Sequence, residues 1–383
     1  MAFKIMLGGT LTHNVKKKCI GIFCPDYKVW MGGVNYYLRL CQALSKMEED
    51  IKLVVFLPRG TLVDIKSQFE QCHNVSVVDI HSTKQSISSL LLSLILGVDY
   101  KFERLAAKHE LDVVIENASF YGWRTKLQCI GWVPDLQHIF LPQYFSLFSR
   151  VKRNIGFYLQ SLLRDRIIVS SQDTKNTFVD FYRVGNPEKI GVVRFALESM
   201  INAHPDVEIK SKYGLRDKYV FMPNQYWPHK NHRIVVEALS ILRRNDSAPV
   251  QIVSVGSTSS DTYQSVAELI NERNVTDDYK VLGFVSESDM RQLFINSVAV
   301  LNPSLFEGWS SSVEEAKSFN KMMILSDIPV HHEQASDNVC FFKANSAGDL
   351  SRYLIEDEFP RVINSPKVDF FGRFIDDLKT VLK

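Results

Sequence analysis

Short runs of apolar and β-branched residues recur along the chain, separated by longer stretches in which apolar positions return every three or four residues. A first set comprises Ile20–Phe23, Lys52–Leu57, Val75–Ile80, Val113–Glu116, Cys129–Val133 and Arg166–Ser170. A second comprises Val220–Pro223, Gln251–Gly256, Tyr279–Leu282, Val298–Asn302 and Met322–Ser326. Strands alternating with helical patterns predict βαβ units on mostly parallel sheets, hence an α/β protein of two domains. Between the sets, Val193–Tyr213 is polar, carries Pro205 and lacks periodicity, which places the linker there. The expected domains are therefore 1–205 and 206–383. Phe370–Leu382 has helical spacing and is expected as a terminal helix packing back on one of the domains, the N-terminal one included. Residues 1–18 end in three lysines and read either as an extra edge strand or as a solvated arm.

A length of 383 residues exceeds what one hydrophobic core sustains, in keeping with two domains. Hydrophobic residues make up 45% and charged residues 23%, which leaves little room for long disorder. The formal charge of +2 supplies no field that would steer the chain to nucleic acid, so any phosphate site is local. The six cysteines form no C-x-x-C pair and read as reduced and buried. Sequons at Asn74, Asn117 and Asn274 are taken as chance matches, with no secretory signal ahead of them. The longest apolar run, Leu90–Val98, is too short to span a bilayer and fits a buried helix. A cytoplasmic protein is expected.

The stretch Asn302–Ala316 carries the most chemistry. It joins a strand to a glycine-containing loop and then to a helix start. In open α/β sheets ligands bind beyond the carboxyl ends of strands, and free helix amides favour a phosphate. Glu307 in the loop and Glu315 in the first turns can each accept hydrogen bonds from vicinal hydroxyls of a sugar or ribose. Ser311 or Ser312 with Glu314 or Glu315 also reads as a helix-capping box. That reading leaves Glu307 unexplained and is compatible with ligand binding.

The spacing E-x7-E from Glu307 to Glu315, followed by Leu325–Val330, resembles the retaining GT-B glycosyltransferases of family GT4. Gly32-Gly33-Val34 resembles that family's glycine loop near the donor diphosphate, with a helix from Asn35. Trp132–His138 resembles its N-domain histidine segment, and Asn224–His232 its basic phosphate segment. The four segments come in the family's order across most of the chain. The resemblance implies a GT-B fold of two facing Rossmann-like domains with a cleft between them, the acceptor mainly on the first and the sugar nucleotide mainly on the second. It places Glu307 on the transferred sugar, Glu315 on the ribose and Lys230 on the diphosphate, with His138 beside sugar and acceptor as a hydrogen-bonding or proton-handling group. A satisfied structural histidine is the alternative for His138, and a plain tight turn for Gly33. Gly33, Asn224, Gly308, Trp309, Ser310 and Ser311 complete the implied donor site. Where many members carry an arginine before the phosphate lysine this chain has Asn224 or Gln225, and Trp309-Ser310-Ser311-Ser312 replaces a common Phe-Gly-Leu-Pro.

His229, His232 and the run His331-His332-Glu333 lack a complete ligand set, and no metal or cofactor is expected. The segment Ile139–Arg150 with Lys152 and Arg153, aromatic beside cations, reads as a membrane or lipid-linked-acceptor contact or as an ordinary packed helix. The implied activity is retaining transfer of a hexose-type sugar from a nucleotide sugar, GDP- or UDP-linked, to a glycan or lipid-linked acceptor, in surface polysaccharide or glycoconjugate synthesis. The alternatives are a sugar-nucleotide epimerase of the same architecture, needing no acceptor, and a non-catalytic sugar-nucleotide-binding scaffold.

Overall fold

The computed structural model describes residues 18–47, 51–117, 119–200, 204–206, 208–356 and 368–382. Residues 1–17, with their lysine run, lie outside this set. Strands β1 (Lys18–Phe23), β2 (Ile51–Pro58), β3 (Val75–Ile80), β4 (Val113–Asn117), β5 (Gln128–Val133), β6 (Arg166–Val169) and β7 (Ile190–Val192) form one sheet in the order β3-β2-β1-β4-β5-β6-β7. Strands β8 (Tyr219–Met222), β9 (Gln251–Ser254), β10 (Tyr279–Val281), β11 (Ala299–Asn302), β12 (Met322–Ser326) and β13 (Val339–Phe342) form the other, ordered β10-β9-β8-β11-β12-β13. The recorded pairs are parallel, for example Ile20 with Leu53 and with Val113, and Ala299 with Val220 and with Met322. By contact density the chain divides into two compact units, 1–130 and 131–383.

Parallel strands covered on both faces need continuous apolar sequence, and β8, β9, β11 and β12 are buried throughout. Alternate side chains serve opposite faces. Val220 and Met222 pack with Val235, Val236 and Leu239 of the helix His232–Arg244. Tyr219 and Phe221 join Phe294, Val313 and Ala316 on the other face. Val313 and Ala316 thereby anchor the helix Ser311–Ser318, each buried aliphatic side chain of this kind contributing roughly 1.5–3 kcal/mol when large.

Two strands, β7 and β13, were not signalled by the apolar runs. The terminal helix runs over Phe370–Leu382, as its spacing predicts, and packs beside β7. Gly191 makes room for it, since a Cβ there would fall 2.1 Å from Val381 Cγ2. Of the six cysteines all are free, but Cys72 and Cys340 are only half-buried. The run Leu90–Val98 departs from expectation. A helix forms over Ile87–Ile95, yet its buried side is Ser89 and Ser93 while Leu91 and Ile95 are exposed. The reason is polar. Buried Asp99 accepts from Ser89 Oγ at 3.1 Å and from Gln85, and Ser93 Oγ donates to the Phe120 carbonyl at 2.8 Å.

Candidate active site

Each sheet reverses its strand order beside its first strand, and in the second sheet the reversal separates β8 from β11. The carboxyl ends of two strands that diverge in this way leave a crevice, the usual ligand position of an open α/β sheet. Asn224, just past β8, and Asn302, the last residue of β11, meet there, with Asn224 Nδ2 donating to Asn302 Oδ1 at 3.2 Å.

Asn302 is fully buried and organises the loop that follows. Its Nδ2 donates to Ser310 Oγ at 2.6 Å and Ser312 Oγ at 3.1 Å, and its Oδ1 accepts from the Ser304 backbone N–H at 3.3 Å. The Ser304 hydroxyl lies 2.7 Å from Asn302 Oδ1 and 2.6 Å from Glu307 Oε1, so its single proton serves one or the other. The Ser326 hydroxyl holds the Ser304 carbonyl at 2.5 Å. Glu307 thus stands on a loop fixed from below by side-chain hydrogen bonds.

Lys230 reaches the same carboxylate. It ends the tight turn Pro228–Lys230, and its Nζ lies 2.5 Å from Glu307 Oε1. The turn stops at Asn231, whose left-handed φ of 56° breaks the geometry before the helix His232–Arg244 begins. Leu305 N–H donates to the His229 carbonyl at 2.8 Å and ties loop to turn. Burial pushes the Glu307 carboxyl up, but the Lys230 ammonium, His229 and the bonds from Lys230 and Ser304 outweigh it, leaving the pKa below its ordinary value. His229 is driven down to about 4 by burial and then by Lys230, so it is neutral near pH 7 and gains charge only in the acid range where Glu307 titrates. Gln137 Nε2 donates to its Nδ1 at 2.8 Å, which leaves the proton on Nε2.

Gly308 is required by close backbone approach. A Cβ there would lie 2.2 Å from the Pro134 carbonyl oxygen and 2.8 Å from Asp135 Cβ. Trp309 Nε1 donates to the Phe195 carbonyl at 2.7 Å. Gln334 clamps Ser310, accepting from its N–H and donating to its carbonyl, both at 3.0 Å. Ser310 stands at the N-cap of Ser311–Ser318 without a capping bond, because its hydroxyl is engaged by Asn302. The N-cap is thus Ser310 rather than the Ser311 or Ser312 of the capping-box alternative. Glu314 is buried against Lys317 at 2.9 Å and Gln334 at 3.0 Å, and burial raises its pKa. Ser311 is the exposed first residue of the helix, and Glu315 is half-buried in its second turn.

The fold therefore brings together Asn224, Lys230, Glu307, Gly308 and Ser310. His138 is buried on the short helix Gln137–Phe140, where its Nε2 bonds Asn154 Oδ1 at 3.0 Å and its ring lies 5.7 Å from that of Phe157. Tyr182 also donates to Asn154, so the imidazole proton sits on Nε2, and burial holds the His138 pKa low. It is the neighbouring Gln137 that touches the Lys230 turn. Gly33, in the other unit, lies within the helix Tyr27–Ser45 rather than in a loop. That helix kinks at Trp30, and a Cβ on Gly33 would fall 2.4 Å from the Trp30 ring, so glycine is needed for that packing. Asn302, Ser304, Gln137 and Gln334 went unassigned from sequence. A polar residue ending an apolar strand was the available signal for Asn302. Among the described residues no group of three His, Cys, Asp or Glu side chains converges as a metal site.

A cation, a carboxylate and a helix start gather at the order reversal of the second of two parallel Rossmann-like sheets, the position at which α/β proteins of this kind hold phosphates and nucleotides. Residues 206–358 match the family model of glycosyl transferases group 1. The O-antigen chain mannosyltransferase RfbU of Salmonella typhimurium is 26% identical over 175 residues, 46% of this chain and 46% of that protein, so the match spans about half the relative's length. A glycosyltransferase from Rickettsia africae ESF-5 superimposes with a TM-score of 0.66 at 17% identity, covering 88% of this chain and 87% of that one. Anabaena HepE in complex with UDP and glucose does so with a TM-score of 0.64 at 16% identity, covering 88% of each chain. The fold is GT-B. The likeness to glycosyl transferases group 1 is confined to residues 206–358, less than half of the chain.

Proposed function

We propose that the protein is a retaining, GT4-like hexosyltransferase that moves a sugar from a UDP- or GDP-linked donor to a glycan or lipid-linked acceptor in surface polysaccharide or glycoconjugate synthesis. The observation that carries this reading is the buried Lys230–Glu307 pair at the carboxyl ends of β8 and β11, beside the start of the Ser311–Ser318 helix. The relative named as an O-antigen chain mannosyltransferase and the UDP-bound neighbour support it. Residues 206–383 hold the donor and residues 1–205 the acceptor. Lys230 and the helix-start amides meet the diphosphate, Glu307 the sugar hydroxyls and Glu315 the ribose, with Gly33, Trp309 and Ser311 completing the donor contacts. As the bond from the anomeric carbon to the diphosphate oxygen breaks, its electron pair stays on that oxygen. The new bond forms from the acceptor hydroxyl on the same face, and the departing phosphate takes its proton. A fixed ammonium and oriented amides stabilise the charge most at that moment, which accelerates the step. His138, with Nε2–H on Asn154, presents Nδ1 as an acceptor for a sugar or acceptor hydroxyl. No metal is assigned a part, and the protein works at the cytoplasmic membrane face.

The test is release of nucleoside diphosphate from GDP- and UDP-hexoses with and without glycan and lipid-linked acceptors. Acceptor-dependent release with the donor's anomeric configuration retained in the product is expected. Removing Lys230 should slow it by about 10²–10³. Acceptor-independent isomerisation of the sugar would instead identify an epimerase, and binding without turnover a scaffold.

A further inference from the structure

The helix Leu147–Leu163 is apolar on the side that no described residue of its unit covers. Its buried residues are Gly156, Phe157, Gln160 and Ser161. Opposite them Leu147, Phe148, Val151, Ile155, Tyr158 and Leu162 are each 42–73% exposed. At 3.6 residues per turn these six fall within an arc of about 100° along the whole helix, which is about 25 Å long. A solvated helix carries polar residues on that arc, and a continuous apolar stripe marks a contact surface.

Charge indicates what it contacts. From Leu136 to Arg164 the sequence contains no Asp or Glu, while Arg150 and Lys152, both half-buried, fall on either side of the stripe in helical projection. Arg153 lies over the Phe145 ring, 5.2 Å from its centroid. Phe140 and Tyr144, just ahead of the helix, are exposed as well. Ile155, Tyr158 and Leu162 also line an open cavity of about 520 Å³, together with Asn154, Arg183 and, from the helix Gln172–Tyr182, Phe181 and Tyr182. An apolar stripe flanked by cations, free of acids and continuous with a pocket that holds Arg183 beside apolar walls is complementary to acyl chains under anionic headgroups.

We infer that the exposed face of Leu147–Leu163 docks on an anionic lipid bilayer. The stripe enters the acyl boundary, and Arg150 and Lys152 meet lipid phosphates. The surface adjoins the candidate site, because Phe140 stacks on Phe306, with ring centroids 5.3 Å apart, and Phe306 precedes Glu307. Docking therefore brings the Glu307 loop close to the headgroup plane, where a lipid-linked acceptor would present its sugar. This deepens the lipid-linked-acceptor reading and rests on it for its purpose, but not for its test.

The test is flotation of the full chain with vesicles of phosphatidylcholine alone or mixed with phosphatidylglycerol, without donor or acceptor. Wild type should float with the anionic vesicles far more than with the neutral ones. Val151→Glu and Leu162→Glu should each reduce binding at least about tenfold, and Lys152→Gln about fivefold. The residues are exposed, so unchanged melting temperatures will show that the variants fold. Failure of wild type to float, or equal flotation of the Glu variants, overturns the inference. So does a dimer in sedimentation velocity that Val151→Glu dissociates, which would make the stripe a protein interface. Donor-induced thermal stabilisation should survive in all three variants, so loss of docking and loss of the donor site are separately visible.

Discussion

Replacing Lys230 by alanine strands the Glu307 carboxylate. Its side chain is 8% exposed and that of Lys230 14%, so water does little for the charge left behind. Breaking a buried pair from one side costs about 3–5 kcal/mol, and with the Ser304 bond retained the lower end, ~3 kcal/mol, is expected near pH 7. The pH dependence follows from the direction of the shift. In the wild type Glu307 titrates below its ordinary value of 4.5, despite burial, because Lys230, His229 and the hydrogen bonds prevail. Such a group stabilises the fold above the unfolded pKa, and the contribution is lost as pH falls through the folded one. In Lys230→Ala burial prevails and the carboxyl shifts up. Its penalty is then present at neutral pH and relieved as the pH falls through the raised value and the group takes a proton. Urea titrations of both proteins at about pH 7 and about pH 5, followed by tryptophan fluorescence, should show the deficit shrinking on acidification. A deficit of the same size at both pH values would mean that no carboxylate is stranded. Lys230→Met, which keeps the apolar stem, should show the same pH trend.

Gly308→Ala forces the loop away from the Pro134 carbonyl, and should cost about 1–3 kcal/mol and weaken donor binding, read by denaturant titration and calorimetry. Asn302→Ala removes bonds to Asn224, Ser304, Ser310 and Ser312, at roughly 1 kcal/mol each, and should raise the donor KM as the Glu307 loop loosens. For His138→Ala the lost bond to Asn154 should cost about 1–2 kcal/mol, while a fall in kcat of at least about tenfold at saturating substrates would report contact with a reacting hydroxyl.

Strands were legible where they were long and apolar, as in β2 and β12, since a buried parallel strand has no polar face to break the run. Ile190–Val192 is only three residues long and Val339–Phe342 is half-buried at a sheet edge, too short or too exposed for such a run to stand out. The terminal helix was legible from its spacing alone. In the helix Ile87–Ile95 the pattern misled, because buried Asp99 holds Ser89 and the Phe120 carbonyl holds Ser93 on the inner side, which leaves Leu91 and Ile95 outside. Glu307, Lys230 and Gly308 stand in a recognisable local pattern, and the fold joins them. The support beneath them is non-local. Asn302 meets Asn224 across 78 residues, and Gln137 meets His229 across 92. Gly32-Gly33-Val34 read as a loop, whereas the structure places Gly33 inside a kinked helix with the Trp30 ring packed against it.

The central claim is that the crevice at β8 and β11 binds a sugar nucleotide. The most direct measurement is a thermal-shift screen of UDP-, GDP-, ADP- and dTDP-sugars without added metal, on wild type and Glu315→Ala, since a ligand bound to the native state raises the melting temperature by mass action. One nucleotide class should stabilise the wild type and fail to stabilise the variant. Absence of stabilisation of the wild type by any of them, even at high concentration, would contradict the assignment of Lys230, Glu307 and Glu315 to a donor site.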